Sequence, residues 1–317
     1  MAAKPDIRPG VSRKELAARL ARDFKLPPEA VRAVLKRARF TPSVIERMEA
    51  PYEARPWHEY RPLFVTRALA AEARDYIRAH QADFRRARDQ YGVQAEIIAA
   101  ILGMETHFGR HRGHDRVLDA LYTLAAGYPK RADFFRKELG HFILLCREEG
   151  LKPESVVGSY AGAFGTTQFI PSSYRAYAVD ADGDGRRDVW DSTADIIGSV
   201  AHYFHVHGWD AARPVAMWMP SLADHGVVRA MRQAGLTGWT ELARARASLP
   251  ALPPAWRDDD RVSLIRLETR AGPRDVLVHY NFYVITRWNR SANYAMAATE
   301  LAALTGCPLC DTHESLA

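Results

Sequence analysis

Cysteine is scarce, with three in 317 residues, too few for a disulfide-stapled scaffold. No apolar run approaches the roughly 18 residues that a membrane helix needs, so no transmembrane segment is expected. Internal repeats and low-complexity tracts are missing too. With 47% hydrophobic and 26% charged residues, neither wholesale disorder nor a bilayer protein fits. The opening stretch, Met1 to Asp6, lacks the apolar segment of a secretory signal. By itself that leaves an intracellular protein or a mature, trimmed form. What is present is enough chain for about two packing units and a net charge of +6. Such a balance favours contact with anionic polymers, whether nucleic acid, lipid head groups or cell-wall glycan, without choosing among them.

Helical patterns dominate. From Ser12 to Phe40 two of them flank Leu26-Pro27-Pro28-Glu29, with Leu16, Leu20 and Phe24 on one face and then Val31, Val34 and Leu35, which predicts a helical hairpin. This hairpin is basic, but its Pro-Pro break and the lack of base-reading side chains on one face argue against a DNA-binding motif, and no nucleic-acid partner is expected. Thr41-Pro42 reads as an N-cap followed by proline at the first helical position. Further helices are expected over 62–90, 93–107 and 115–150. After Trp209 the character changes: Pro-rich 249–254 precedes the strand-like runs 262–267 and 275–278, which predicts a small β subdomain. A final helix over 291–304 has Ser291 as cap and Gly306 just past its end. Cys307-Pro-Leu-Cys310 reads as a local disulfide rather than a zinc site, since no second ligand pair completes a set of four.

Among the residues able to carry chemistry, Glu105 stands out. On a helix it falls on the stripe of Ile98, Ile101 and Leu102, where partial desolvation would hold a carboxyl protonated for general-acid work; a solvated end of the stripe is the plainer alternative. Asp180, Asp182 and Asp184, with Gly185 at position 6 and Asp188 at position 9, have the spacing of a calcium loop. Arg186 then holds the position that ligates through its backbone carbonyl. Two departures stand out: Arg187 replaces an apolar residue at position 8, and Asp191 stands where a bidentate Glu is usual, so Asp195 is a second candidate to close an extended loop. Histidines 107, 111 and 114, like 202, 205 and 207, lack the H-E-x-x-H spacing of a zinc helix. Ser159 is no nucleophile elbow, because G-S-Y-A-G lacks the residue between glycine and serine. The small-residue run Ala161 to Gln168 lets backbone approach a ligand, with Gln168 as a two-way hydrogen-bonding tip.

Taken together, the chain resembles the B-type bacterial lytic murein transglycosylases from about Pro51 to Leu304. The carriers are Glu105-Thr-His-Phe-Gly109, Leu118-Asp-Ala-Leu121 with Tyr128-Pro-Lys-Arg131, the run Gly158 to Tyr174, the calcium-type loop, and Asn281 to Ser291. The resemblance implies a mainly α (α+β) fold: a lysozyme-like helical core over 91–210 and a helical domain over 1–90. The small β subdomain falls at 211–290, with a C-terminal helix and tail at 291–317. It implies cleavage of the β-1,4 bond between N-acetylmuramic acid and N-acetylglucosamine without water, leaving a 1,6-anhydro ring, with Glu105 as the single acid/base. Ser159, Gln168, Asn289, Tyr294 and the aromatic Tyr203 match substrate-cleft positions, and Lys130 with Arg131 forms a basic pair able to meet peptide-stem carboxylates. Trp288 departs from the family's tyrosine. The metal set is Asp180, Asp182, Asp184, Arg186, Asp191 and Asp195, holding a structural Ca2+; no catalytic cofactor is expected. A monomer in the bacterial periplasm is implied, acting on peptidoglycan strands in the company of other cell-wall enzymes, with its export signal not in this chain. A hydrolytic muramidase and a non-catalytic calcium-stabilised wall-binding protein are the alternatives.

Overall fold

The computed structural model describes residues 8–49 and 55–310. Helix α1 (Arg13–Asp23) starts where the Ser12 hydroxyl accepts the Glu15 N–H, and α2 (Pro28–Lys36) opens on proline at its first position. Leu16, Leu20, Val31 and Leu35 are buried between them and their neighbours, which makes the expected hairpin. Next come α3 (Pro42–Met48), α4 (Trp57–Tyr60), α5 (Arg67–Ala79), α6 (Gln81–Tyr91) and α7 (Ala95–Thr106). The helical stretch expected over 62–90 holds two helices, divided at His80. Strand β1 (Asp115–Arg116) leads into α8 (Val117–Gly127), and α9 (Ala132–Glu148) follows. Pro129 divides the region expected as helical over 115–150: Tyr128 before it is driven out of the helical region to φ −115°, ψ 81°, as proline favours for the residue before it.

Strand β2 (Val157–Gly158), α10 (Pro171–Tyr177) and α11 (Thr193–Val206) precede β3 (Ala216–Trp218), α12 (Gly226–Ala234), β4 (Thr240–Glu241) and α13 (Leu242–Ala245). The strand-like runs become β5 (Arg261–Thr269) and β6 (Gly272–His279), an antiparallel hairpin in which Leu264 faces Leu277. Helices α14 (Tyr280–Trp288) and α15 (Ala292–Thr305) close the chain. Ser291 accepts the Tyr294 N–H, and Gly306, at φ 118°, ends α15, as the caps predicted. Cys146, Cys307 and Cys310 are free thiols; the expected disulfide pair stands with its sulfurs 2.9 Å apart.

Two compact units result. One takes in residues 8–49 and 109–199, the other 55–108 and 200–310. In the first, α8 and α9 pack face to face, burying Leu118, Leu121, Leu139 and Phe142. In the second, α7 packs against α5 and α15. Its sheet has the order β3-β6-β5-β4. Met219, Val228, Met231, Leu242 and Trp256 cover one sheet face, each large apolar side chain contributing about 1.5–3 kcal/mol by leaving water. No helix among the described residues is long and apolar enough to cross a membrane.

Candidate active site

Helix α7 is buried on every side: Ile97 through Leu102 have no exposed surface. It is a core helix rather than the one-sided stripe that spacing suggested, and Glu105 lies in its last turn, half-buried. The helix ends in an unusual way. The His107 and Phe108 N–H groups donate to the Gly103 and Leu102 carbonyls at 3.0 and 3.1 Å, and both residues take left-handed backbone, φ 46° and 58°. That conformation costs about 1–2 kcal/mol for each residue with a side chain. Packing offsets it: the Phe108 ring stacks on Tyr76 at 4.8 Å. The ring also lies over Gly103, where a Cβ would come within 3.1 Å of it.

Glu105 is held from α14 and α15. Its Oε1 accepts the Trp288 indole N–H at 2.9 Å and the Tyr294 hydroxyl at 2.6 Å. The tryptophan is itself braced. Tyr203 meets it edge-on at 4.8 Å and Phe204 lies nearly parallel at 5.9 Å. The Tyr203 hydroxyl donates to the Arg287 carbonyl at 2.5 Å, and its ring stacks on His207 at 4.1 Å. Tyr203, expected as a cleft aromatic, is only 6% exposed, so its visible work is to fix Trp288. Asn289 caps α14 and accepts the Ser291 N–H at 2.7 Å, joining the two helices that supply the donors.

An indole N–H can only donate. With two donors converging on Oε1, that oxygen is the acceptor whether the carboxyl is charged or neutral, and the acidic proton belongs on Oε2. Helix C-termini carry partial negative charge, so the anionic form at this end of α7 needs such donors. The arrangement can deliver a proton from a fixed oxygen and take one back.

Ser159, Gln168, Lys130 and Arg131 belong to the first unit. Gln168 sits in left-handed backbone at φ 50°. Its amide nitrogen donates to the Gly165 and Arg112 carbonyls at 2.9 and 3.2 Å, which leaves the amide oxygen as its acceptor. The Ser159 hydroxyl accepts the Ala163 N–H at 3.1 Å and keeps its own proton to give. Glycine is required nearby: a Cβ on Gly158 would lie 2.0 Å from the Ala163 carbonyl oxygen. Lys130 pairs with Glu49 at 2.5 Å, and Arg131 lies over the Phe134 and Phe135 rings at 4.3 and 5.1 Å.

In the acidic loop, one carboxylate oxygen from each of Asp180, Asp182 and Asp184 lies within 4.8 Å of the others. Three exposed anions so close repel one another without a cation, and an all-oxygen set suits a hard divalent ion. Backbone amides shape the loop: Asp180 accepts N–H groups from Gly183, Asp184 and Gly185. Asp195 is fully buried and accepts the Ala181 and Asp188 amides at 2.7 and 2.8 Å, tying the loop ends together. Burial raises its pKa against those hydrogen bonds. Asp191 is instead exposed and pairs with Arg112 at 3.0 Å. Arg187, the departure at position 8, leaves the loop to bind Glu149. The loop is also joined to the Gln168 turn, because the Thr166 N–H donates to the Val189 carbonyl at 2.8 Å and its hydroxyl to that of Trp190 at 3.2 Å.

Comparison with known proteins matches the sequence over residues 12–303 to the family described as Transglycosylase SLT domain. The chain belongs to that family. Its N-terminal hairpin lies within the match, so the likeness begins well before Pro51, where the motifs alone placed it. Membrane-bound lytic murein transglycosylase B of Escherichia coli K12 is 40% identical over 245 residues, 77% of this chain and 66%, just under two thirds, of that relative's length. The crystal structure of soluble lytic transglycosylase SltB1 from Pseudomonas aeruginosa is 41% identical with a TM-score of 0.81, covering 92% of this chain and 97% of that one. The Escherichia coli lytic transglycosylase Slt35 in complex with calcium is 34% identical at a TM-score of 0.81, with 92% of each chain covered. The mainly α fold with its small sheet is that of these lysozyme-like relatives.

Two features that count here were not picked out from the sequence. Trp288 drew notice only as a departure from a pattern, not as a donor to Glu105, and the left-handed pair His107-Phe108 carried no signal besides the glycine after it.

Proposed function

We propose that the protein is a peptidoglycan lytic transglycosylase that cuts the β-1,4 bond between N-acetylmuramic acid and N-acetylglucosamine. Glu105 acts twice. Oε2 first gives its proton to the glycosidic oxygen as the C1–O bond breaks, so that N-acetylglucosamine leaves with a new hydroxyl. The carboxylate, now held by Trp288 and Tyr294, then takes the proton from the muramic 6-hydroxyl while that oxygen bonds to C1. A 1,6-anhydro ring forms, the acid regains its proton, and no water enters the balance. One observation carries this reading: two donors on a single carboxyl oxygen fix where the proton sits and stabilise the anion that must form between the two steps. Family membership supports it.

Ser159 and Gln168, a hydroxyl donor and an amide acceptor, suit an N-acetyl sugar; Asn289 and Tyr294 are further candidates for substrate contact, and Lys130 with Arg131 offers cationic charge to peptide stems. Asp180, Asp182 and Asp184, with the Arg186 carbonyl and a closing carboxylate from Asp191 or Asp195, would hold Ca2+. The ion supplies stability alone: it neutralises the crowded carboxylates and steadies the loop bonded to the Gln168 turn. The setting is the bacterial periplasm.

Digestion of purified murein in heavy-oxygen water tests the reaction. Products one water lighter than hydrolytic fragments, with no heavy oxygen at the new muramic end, are expected. Incorporation of label there would make the protein a hydrolytic muramidase, and no soluble products would favour a binding protein.

A further inference from the structure

The second unit holds a groove of about 560 Å³ whose lining includes Arg55, Trp57, Arg266, Glu268, Arg290 and Asn293. None of these takes part in the chemistry above. The floor is rigid: Trp57 is 2% exposed and packs on Trp218 at 6.2 Å. The Trp218 indole donates to buried Glu300 at 3.0 Å, and Arg61 binds the other Glu300 oxygen at 2.6 Å. The walls are pinned as well, since Asn293 donates to the Arg55 carbonyl at 2.8 Å and His58 meets the Glu268 carbonyl at 3.1 Å. Three guanidiniums and one carboxylate line the groove. Arg266 is paired with Asp275 at 3.3 Å, an anion that Arg232 also binds, while Arg232 holds Asp224 as well. Ser291, Ala292 and Asn293, which form one wall, directly precede Tyr294, the residue that holds Glu105.

We propose that this groove binds the carboxylates of the peptide stem borne by the murein strand. The proposal rests on the murein-cleaving reading. A guanidinium fork matches a carboxylate with two parallel hydrogen bonds, and a stem carries several carboxylates in a row. An extended peptide of four residues spans about 13 Å. A stem hanging from the muramic sugar at Glu105 therefore has length to enter a groove walled by the same helical turn as Tyr294. Stem recognition would then lie beside the acid's own support, in addition to any contact at Lys130 and Arg131.

Calorimetric titration of the protein with two soluble probes tests this: the N-acetylglucosamine–N-acetylmuramic acid disaccharide carrying its tetrapeptide, and the same disaccharide with the peptide removed. Neither contains the bond that is cut, so binding is read without turnover. The stem is expected to raise affinity about tenfold at low salt, as charge-paired contacts do. The double variant Arg55→Gln/Arg290→Gln should lose that advantage with an unchanged melting curve, and Arg290→Lys should keep part of it. Three results overturn the proposal: an advantage that survives the double variant, an unsubstituted protein indifferent to the stem, or a glycerol-phosphate oligomer that binds the arginines more tightly than the stem does. Failure here leaves the product test in heavy-oxygen water untouched, and failure there leaves this binding readout intact.

Discussion

Glu105 and the aspartates of the 180–184 loop are the same functional group in opposite settings. Glu105 stands at the end of a helix whose middle, Ile97 to Leu102, is fully buried, with an indole and a phenol directed at one of its oxygens. The aspartates are exposed, close together and hydrogen-bonded to backbone amides of their own loop, with the Ser192 hydroxyl donating to Asp182. A carboxyl with an indole and a phenol on one oxygen is set up to hold and move a proton. Three carboxylates within 4.8 Å of one another have a strong need for positive charge between them. Surroundings, not residue type, divide acid from ligand, and substitutions should separate the two roles cleanly.

The largest effect is expected at the acid. Glu105→Gln keeps an acceptor for Trp288 and Tyr294 but removes the proton, so turnover should fall by about 10³-fold or more, the upper range for general acid–base work. The melting temperature should hardly change. Next come the donors. Tyr294→Phe and Trp288→Phe each delete one hydrogen bond to a carboxylate, about 1.5–3 kcal/mol, and initial rates of anhydro-product release should drop about 10- to 100-fold. The loop should respond in the opposite sense. Excess chelator, or Asp180→Asn, should lower the melting temperature by about 5 °C, since saturating a site at a hundred times its dissociation constant contributes about 2.7 kcal/mol. Product chemistry should stay the same. An equal melting curve with chelator and with calcium would remove the metal from this account.

The smallest effect concerns the brace of Trp288. Burial lowers the pKa of His207, with Arg287 adding repulsion, against a hydrogen bond to the Tyr203 carbonyl that raises it. A base whose folded pKa is depressed contributes stability that is fully present above its unfolded value, about 6.5, and is lost as pH falls through the folded value. His207→Phe should keep the stacking on Tyr203 and flatten the fall in melting temperature below pH 6.5 by about 1–2 °C. A slope unchanged by the substitution would mean that other groups set it.

Local signals were legible in the sequence where short-range chemistry sets the structure. Ser291 and Gly306 bracket α15 as caps should, Pro28 opens α2, and the β-branched runs became β5 and β6. The three aspartates of the metal-type loop were legible for the same reason, since the backbone amides that Asp180, Asp182 and Asp184 accept lie within five residues of them. Glu105 was legible as a candidate, but its setting was not. Trp288 reaches it from 183 positions away and Tyr294 from 189, and no local periodicity encodes such a meeting. Strands β3 and β4 are three and two residues long, too short to leave a pattern.

The central claim is that one carboxyl, Glu105, is both acid and base. The most direct test is mass spectrometry of soluble products from purified sacculi digested with the unsubstituted protein and, side by side, with Glu105→Gln, each also measured for binding to intact strands. The account predicts anhydro-muropeptides from the first, none from the second, and retained binding by both. Anhydro products released at an undiminished rate by Glu105→Gln would contradict it.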